Sequence, residues 1–112
     1  MPGGTSLPYG NVKNAFLLNL TVTTQTITGT FGGEVTFSVP GLLTTDNVDA
    51  NKPSNTQYVG IANVRVSAAN VLAITFSNSS TGNITTPASE VYSVIVMRPD
   101  FAPPGTPPSG IV

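Results

Sequence analysis

The chain contains no cysteine, no histidine and no tryptophan, and each absence removes a class of chemistry. Without cysteine there are no disulfides, no thiolate-held zinc or iron–sulfur groups and no thiol nucleophile. Without histidine the commonest general base is missing, and the many Ser and Thr hydroxyls have no evident activator. Charge is scarce as well: 8% of residues are Asp, Glu, Lys or Arg, against about 25% in an average globular domain. The four cations, Lys13, Lys52, Arg65 and Arg98, are dispersed and the net charge is -1, so no basic stripe exists for phosphates and nucleic acid is not an expected partner. No apolar run approaches the roughly 18 residues needed to span a bilayer. The opening Met1-Pro-Gly-Gly-Thr5 lacks the basic flank and apolar run of a secretory signal, so an intact soluble product with no membrane role is expected.

What is present is apolar and β-branched. A chain of 112 residues fits one domain, and one of this size buries roughly two-thirds of the surface its unfolded form exposes. With 39% hydrophobic residues it is too apolar for disorder, yet so poorly charged a monomer is prone to associate. Part of its surface is therefore expected to be covered by partners.

Residues 1–13 hold Pro2, Gly3, Gly4, Pro8 and Gly10 without periodicity and read as an N-terminal arm, with Tyr9 as its one anchor. From Asn14 the pattern becomes that of a strand, with Phe16, Leu18, Leu20 and Val22 alternating against Asn19, Thr21 and Thr23. A second strand is expected over residues 26–31. Gly32-Gly33 predicts a hairpin turn into a strand in which Val35, Phe37 and Val39 share a face. Pro40-Gly41 ends that strand, and Leu42 with Leu43 is expected to plug the end of the core. Residues 44–57 are dense in turn formers and read as one long loop. Strands follow over 58–66 and 71–77, where Leu72, Ile74 and Phe76 alternate with Val71, Ala73 and Thr75. A turn cluster at 78–83 and the stretch Ile84–Pro87 lead to a last strand, 91–98. That strand is apolar on both faces, Tyr92, Val94 and Val96 on one and Val91, Ile95 and Met97 on the other, which predicts cover on both sides. Residues 99–112 carry five of the ten prolines and read as an extended tail ending apolar at Ile111 and Val112.

No stretch has helical periodicity. Short strands separated by turns predict an all-β domain over 14–98, an antiparallel β-sandwich (jelly-roll or Ig-like) of about seven to eight strands, with extended termini.

Five carboxylates, Glu34, Asp46, Asp49, Glu90 and Asp100, are the only acid–base groups from which a glycosidase could be assembled. Glu34 and Glu90 stand at strand starts, where exposed carboxylates are ordinary, so no catalytic residue is assigned. Asp46, Asn47, Asp49 and Asn51 offer oxygen ligands in a loop but lack the spaced acidic run and bidentate glutamate of a calcium site. No metal, cofactor or small-molecule substrate is expected. The sequons at Asn19, Asn78 and Asn83 are what an Asn- and Thr-rich chain produces by chance. Tyr9 and Tyr58 are the aromatic planes on which a sugar could stack. The apolar second faces, Val71 with Ala73 and Val91 with Ile95 and Met97, are expected to form subunit or partner interfaces together with Tyr9, Ile111 and Val112.

Val39-Pro-Gly-Leu42, Asp46, the run Val59–Asn78 with its Arg65-Val-Ser-Ala-Ala-Asn70 turn, Ile84-Thr-Thr-Pro87 and a closing strand ending in Arg98 resemble a pattern in small structural proteins of tailed bacteriophages. The resemblance covers about residues 34–98. It departs from the family at Thr86-Pro87, where a second proline is usual, and in the Pro-rich tail. It implies a β-sandwich virion component, a capsid decoration (cement) protein or head-fibre base on the capsid exterior, non-enzymatic, trimeric, and bound to the major capsid protein. The alternative from the same sequence is a tail-fibre, baseplate or adhesion module that binds host glycans.

Overall fold

The computed structural model describes residues 12–30 and 32–99. Within them lie eight strands and no helix: β1 (Val12–Val22), β2 (Thr26–Ile27), β3 (Gly33–Ser38), β4 (Asn47–Asn51), β5 (Val59–Ala68), β6 (Val71–Asn78), β7 (Ile84–Thr85) and β8 (Glu90–Pro99). Two three-stranded antiparallel sheets, ordered β1-β8-β4 and β3-β6-β5, face each other, with a two-stranded ladder of β2 and β7 beside them. The all-β sandwich expected from the alternation is the fold.

The middle strand of each sheet carries the core, because a middle strand is shielded on both edges and needs only one face against the opposite sheet. From β6 come Leu72, Ile74 and Phe76, and from β8 come Tyr92, Val94 and Val96, all essentially without solvent contact. Phe76 and Tyr92 meet edge to face across the two layers, ring centroids 6.4 Å apart at 73°, a geometry that aligns the positive ring edge with the negative face. Val22, Ile27, Val39, Leu42 and Val66 complete this cluster.

Three expectations are corrected. Residues 44–57 are not one loop: Asn47–Asn51 forms β4, paired with β8. Its Val48 and Ala50 lie opposite Val96 and Val94, and an alternation of only two small apolar residues among Asx residues is too weak to stand out. Secondly, β2 is two residues long and pairs with β7, so Gly32-Gly33 is not a hairpin. Gly32 has φ +72°, and a Cβ there would collide with the Phe76 carbonyl oxygen, so its glycine serves a close pass over β6. Thirdly, Leu42 is buried whereas Leu43 is largely exposed, so one leucine rather than two closes the core.

The β5–β6 connection is a two-residue hairpin, Ala69-Asn70, with Asn70 at φ +67°, a conformation that asparagine tolerates better than most residues.

Candidate protein-binding face

Register decides which side chains leave the sandwich. On β8 the residues out of phase with the core are Val91, Ser93, Ile95 and Met97, and β1 sets Thr21, Asn19, Leu17 and Ala15 opposite them in turn. On the other side Asn51, Asp49 and Asn47 of β4 stand opposite Ser93, Ile95 and Met97. The outer face of this sheet is thus an apolar stripe, Val91, Ile95, Met97 and Leu17, rimmed by short polar side chains. Val91, Ile95 and Met97 are 44–47% exposed and Leu17 is 71% exposed. The cover expected on both sides of the last strand exists, among the described residues, on one side only.

Leu17 was not among the residues singled out by sequence. The phase of Phe16, Leu18, Leu20 and Val22 assigned it to the polar side, where a lone leucine draws no attention. Its pairing with Ile95 makes it part of the stripe.

Ala73 does not belong to such a face. Ala73 is fully buried on the outside of the second sheet, between Thr36 and Arg65 in register. The Arg65 guanidinium crosses β6 to bind both Glu34 oxygens at 2.8 and 2.9 Å, and a small residue beneath lets that bridge lie flat. Ala73 is therefore corrected from interface residue to floor of a surface ion pair, and Val71, on the same face, is half-buried. Tyr9, Ile111 and Val112 lie outside the described residues.

Three of the four described carboxylates are held by cations. Asp46 is buried and takes Arg98 in a two-pronged contact, Nε at 2.9 Å and Nη2 at 2.8 Å, while accepting the Leu43 N–H at 2.9 Å. The Arg98 hydrogen bonds hold the Asp46 carboxyl below its usual range, against the opposing effect of burial. Its oxygens are thereby engaged, which leaves little for a cation at Asp46–Asn51. Glu34 is likewise held low by Arg65. Glu90 is buried, contrary to the exposed strand-start position expected for it, with Lys52 Nζ at 3.0 Å and the Ser54 hydroxyl also donating to it. Burial pushes this carboxyl up, and the Ser54 and Lys52 hydrogen bonds more than offset that, so it too sits below the ordinary carboxylate range. Beside it, the buried Tyr92 phenol is pushed up to about 12 by burial and by the Glu90 charge.

Several of the short sequence pieces that carry the bacteriophage resemblance are hydrogen-bonded to one another, and others to distant parts of the chain. Asn70 accepts the Gly41 N–H on its side-chain oxygen at 2.7 Å, and its backbone N–H donates to the Leu42 carbonyl at 2.9 Å. Arg98, besides binding Asp46, donates to the Gly41 carbonyl at 2.8 Å and lies 5.5 Å from the centre of the Phe16 ring. Asn78 donates to the Ile27 and Gly82 carbonyls and accepts from Ser80. Thr86 accepts the Gln25 N–H on its hydroxyl and donates its own N–H to the Gln25 carbonyl. Each of these residues joins segments distant in sequence. Compared with protein families, characterised proteins and solved structures, the chain finds no match.

Proposed function

We propose that this protein is a non-enzymatic structural component that binds other proteins in an assembly, and, following the bacteriophage resemblance, that it decorates the exterior of a capsid as a symmetric oligomer seated on the major capsid protein. The observation that carries the binding role is the exposed stripe of Leu17, Val91, Ile95 and Met97. A neutral stripe with an Asn, Thr and Asp rim has the make-up of a protein interface, apolar at its centre and polar at its margin. The non-enzymatic part is supported by the carboxylates: Glu34, Asp46 and Glu90 are each committed to an ion pair within the fold. A trimer is what the resemblance implies for the number of copies.

The test is binding to capsids prepared without the protein, followed by co-sedimentation and electron microscopy. Wild type decorates the shell, and Ile95→Lys, at a site that is already solvent-exposed, folds normally and loses binding at least tenfold, about 1.4 kcal/mol. Undiminished binding of Ile95→Lys would refute the assignment of this face. A second reading, a module that binds host glycans, is favoured by Tyr58, an aromatic side chain 54% exposed in the loop before β5. It predicts a glycan-array signal that Tyr58→Ala removes, and a blank array eliminates it.

A further inference from the structure

The edges of the two sheets are not alike. On one side of the sandwich β4 runs beside β5, so these two edges cover each other. On the opposite side β1 and β3 are both free among the described residues. Natural edge strands are commonly guarded by a charge, a proline, a bulge or short length. The six-residue β3 has Glu34, β4 has Asp49 and β5 has Arg65. Apart from Lys13 and the register shift beside it at the start of the strand, β1 is unguarded: from Asn14 to Val22 it has no charge, proline, glycine or bulge, and all nine of these residues are paired to β8 on the other edge.

This free edge is also where the core is least closed. Phe16 faces inward opposite Val96, yet it is 40% exposed while Val96 is buried. Leu18 and Leu20 on β1, and Val35 and Phe37 on β3, are only partly buried. A groove of about 390 Å³ opens between β1 and the Pro40–Leu42 turn, with Phe16, Leu18 and Leu42 in its wall.

We propose that β1 pairs through its free edge with β1 of a second copy of this chain, antiparallel about a two-fold axis, joining two three-stranded sheets into one of six. The row of unpaired backbone groups calls for a strand, and the absence of charge along it offers a charged partner no complement. An antiparallel edge is its own complement under a two-fold axis. The chain's own ends are poorly suited to a nine-residue ladder: Pro2 and Pro8 interrupt the first, and Pro103, Pro104, Pro107 and Pro108 the last, and proline supplies no amide donor. Pairing the full run Asn14–Val22 centres the axis on Leu18. Phe16 then falls opposite Leu20 of the second copy, and the two Leu17 side chains become diagonal neighbours on the outer face, within reach of each other.

The inference rests on the reading that this chain works in a symmetric assembly of copies, and it sets a two-fold contact in place of the three-fold ring that the resemblance implies. Amide hydrogen exchange by NMR, run at concentrations bracketing the association seen in sedimentation equilibrium, tests it. A single β8 partner protects alternate amides along Asn14–Val22, whereas pairing on both edges protects consecutive ones. The expected result is a dimer or an even multiple, with the outward amides slowed about tenfold where nine-tenths of the chain is associated. Leu17→Lys should return the protein to a monomer with the alternating pattern, and Ser38→Lys on β3 should leave the dimer intact. A trimer, or any oligomer retaining the alternating pattern, overturns the pairing but leaves the assembly reading standing. A monomer overturns it too, and consecutive protection in that monomer assigns the edge to one of the chain's own terminal segments. A monomer that also fails to bind capsids removes both.

Discussion

Replacing Glu90 by leucine removes one half of the most deeply buried ion pair in the described structure. The Lys52 and Glu90 side chains are 8% and 6% exposed, and Lys52 Nζ also donates to the Ser54 carbonyl at 2.7 Å and to the Thr56 hydroxyl at 2.8 Å. Those two acceptors remain when Glu90 is gone, but the ammonium then has no counter-charge in a place that water scarcely reaches. Stranding one member of a buried pair costs about 3–5 kcal/mol, about a fifth or more of the roughly 5–15 kcal/mol that holds a typical domain together. At about 4–8 °C per kcal/mol, the melting temperature should fall by at least 12 °C. Lys52→Met alone should cost about as much, because it leaves the Glu90 carboxylate stranded. The double variant should lose less than either, since an apolar pair of similar volume incurs no charge burial. Urea titration at pH 7 of the four proteins closes this cycle. A Glu90→Leu loss below 1 kcal/mol, or a double-variant loss equal to the sum of the singles, would refute the account. The pair also sets a pH dependence. Because Glu90 titrates lower in the folded chain than in the unfolded one, its contribution is present above the unfolded value of about 4.3 and is lost as pH falls through the folded one. Glu90→Gln should therefore flatten part of the acid limb and leave the part due to Asp46. At the other end, the Tyr92 phenol, raised to about 12 when folded, contributes stability that is lost as pH rises from about 10 through 12.

Phe76→Ala should cost about 3–5 kcal/mol in the same titration, because the ring is fully buried against Tyr92; a loss below 1 kcal/mol would overturn the face assignment of β6. The two adjacent glycines should separate cleanly in thermal melts. Gly32→Ala places a Cβ against the Phe76 carbonyl at φ +72° and should destabilise by more than 1 kcal/mol, whereas Gly33→Ala meets no atom within 4 Å and should be neutral or stabilising by up to about 1 kcal/mol.

The strands legible in the sequence were those whose alternation involves large side chains. Leu72, Ile74 and Phe76 in β6, and Tyr92, Val94 and Val96 in β8, announce the two central strands because a wrong register would turn three large apolar groups into water. Edge strands carry a weaker constraint. In β4 only Val48 and Ala50 face the core, so the Asx residues around them dominated and the segment read as a loop. Gly32-Gly33 was misread because glycine marks a special backbone without saying which kind. A primed hairpin and a close pass over another strand ask for the same residue. Of the candidate interface, Val91, Ile95 and Met97 were legible as surplus apolar residues on a strand already provided with a core face. Ala73 seemed equivalent by the same count, but its cover comes from Arg65 and Glu34, which are 31 residues apart in sequence and meet only in the fold. Leu17 needed the register with Ile95, which no local pattern contains.

Val91, Ile95 and Met97 lie in the closing strand of the resemblance, yet the residues that staple the fold and those that form the exposed stripe are different side chains, and this bears on what the resemblance can transmit. Asn70, Asp46, Arg98, Asn78 and Thr86 each tie together segments distant in sequence through directed hydrogen bonds. Removing Arg98 or Asn78 leaves a buried partner, the Asp46 carboxylate or the Ile27 carbonyl, unsatisfied, so a fold of this kind holds such residues in place whatever its surface binds. Leu17, Val91, Ile95 and Met97 face solvent, and nothing in the packing of the sandwich demands an apolar residue at any of the four. The staples therefore argue for the architecture, and the stripe argues for the partner. A chain that kept the staples and replaced the stripe with Lys, Glu and Thr would keep this fold and lose its binding face. The proposed assembly role consequently stands or falls with substitutions on the outer face of β1 and β8, not with the stapling residues.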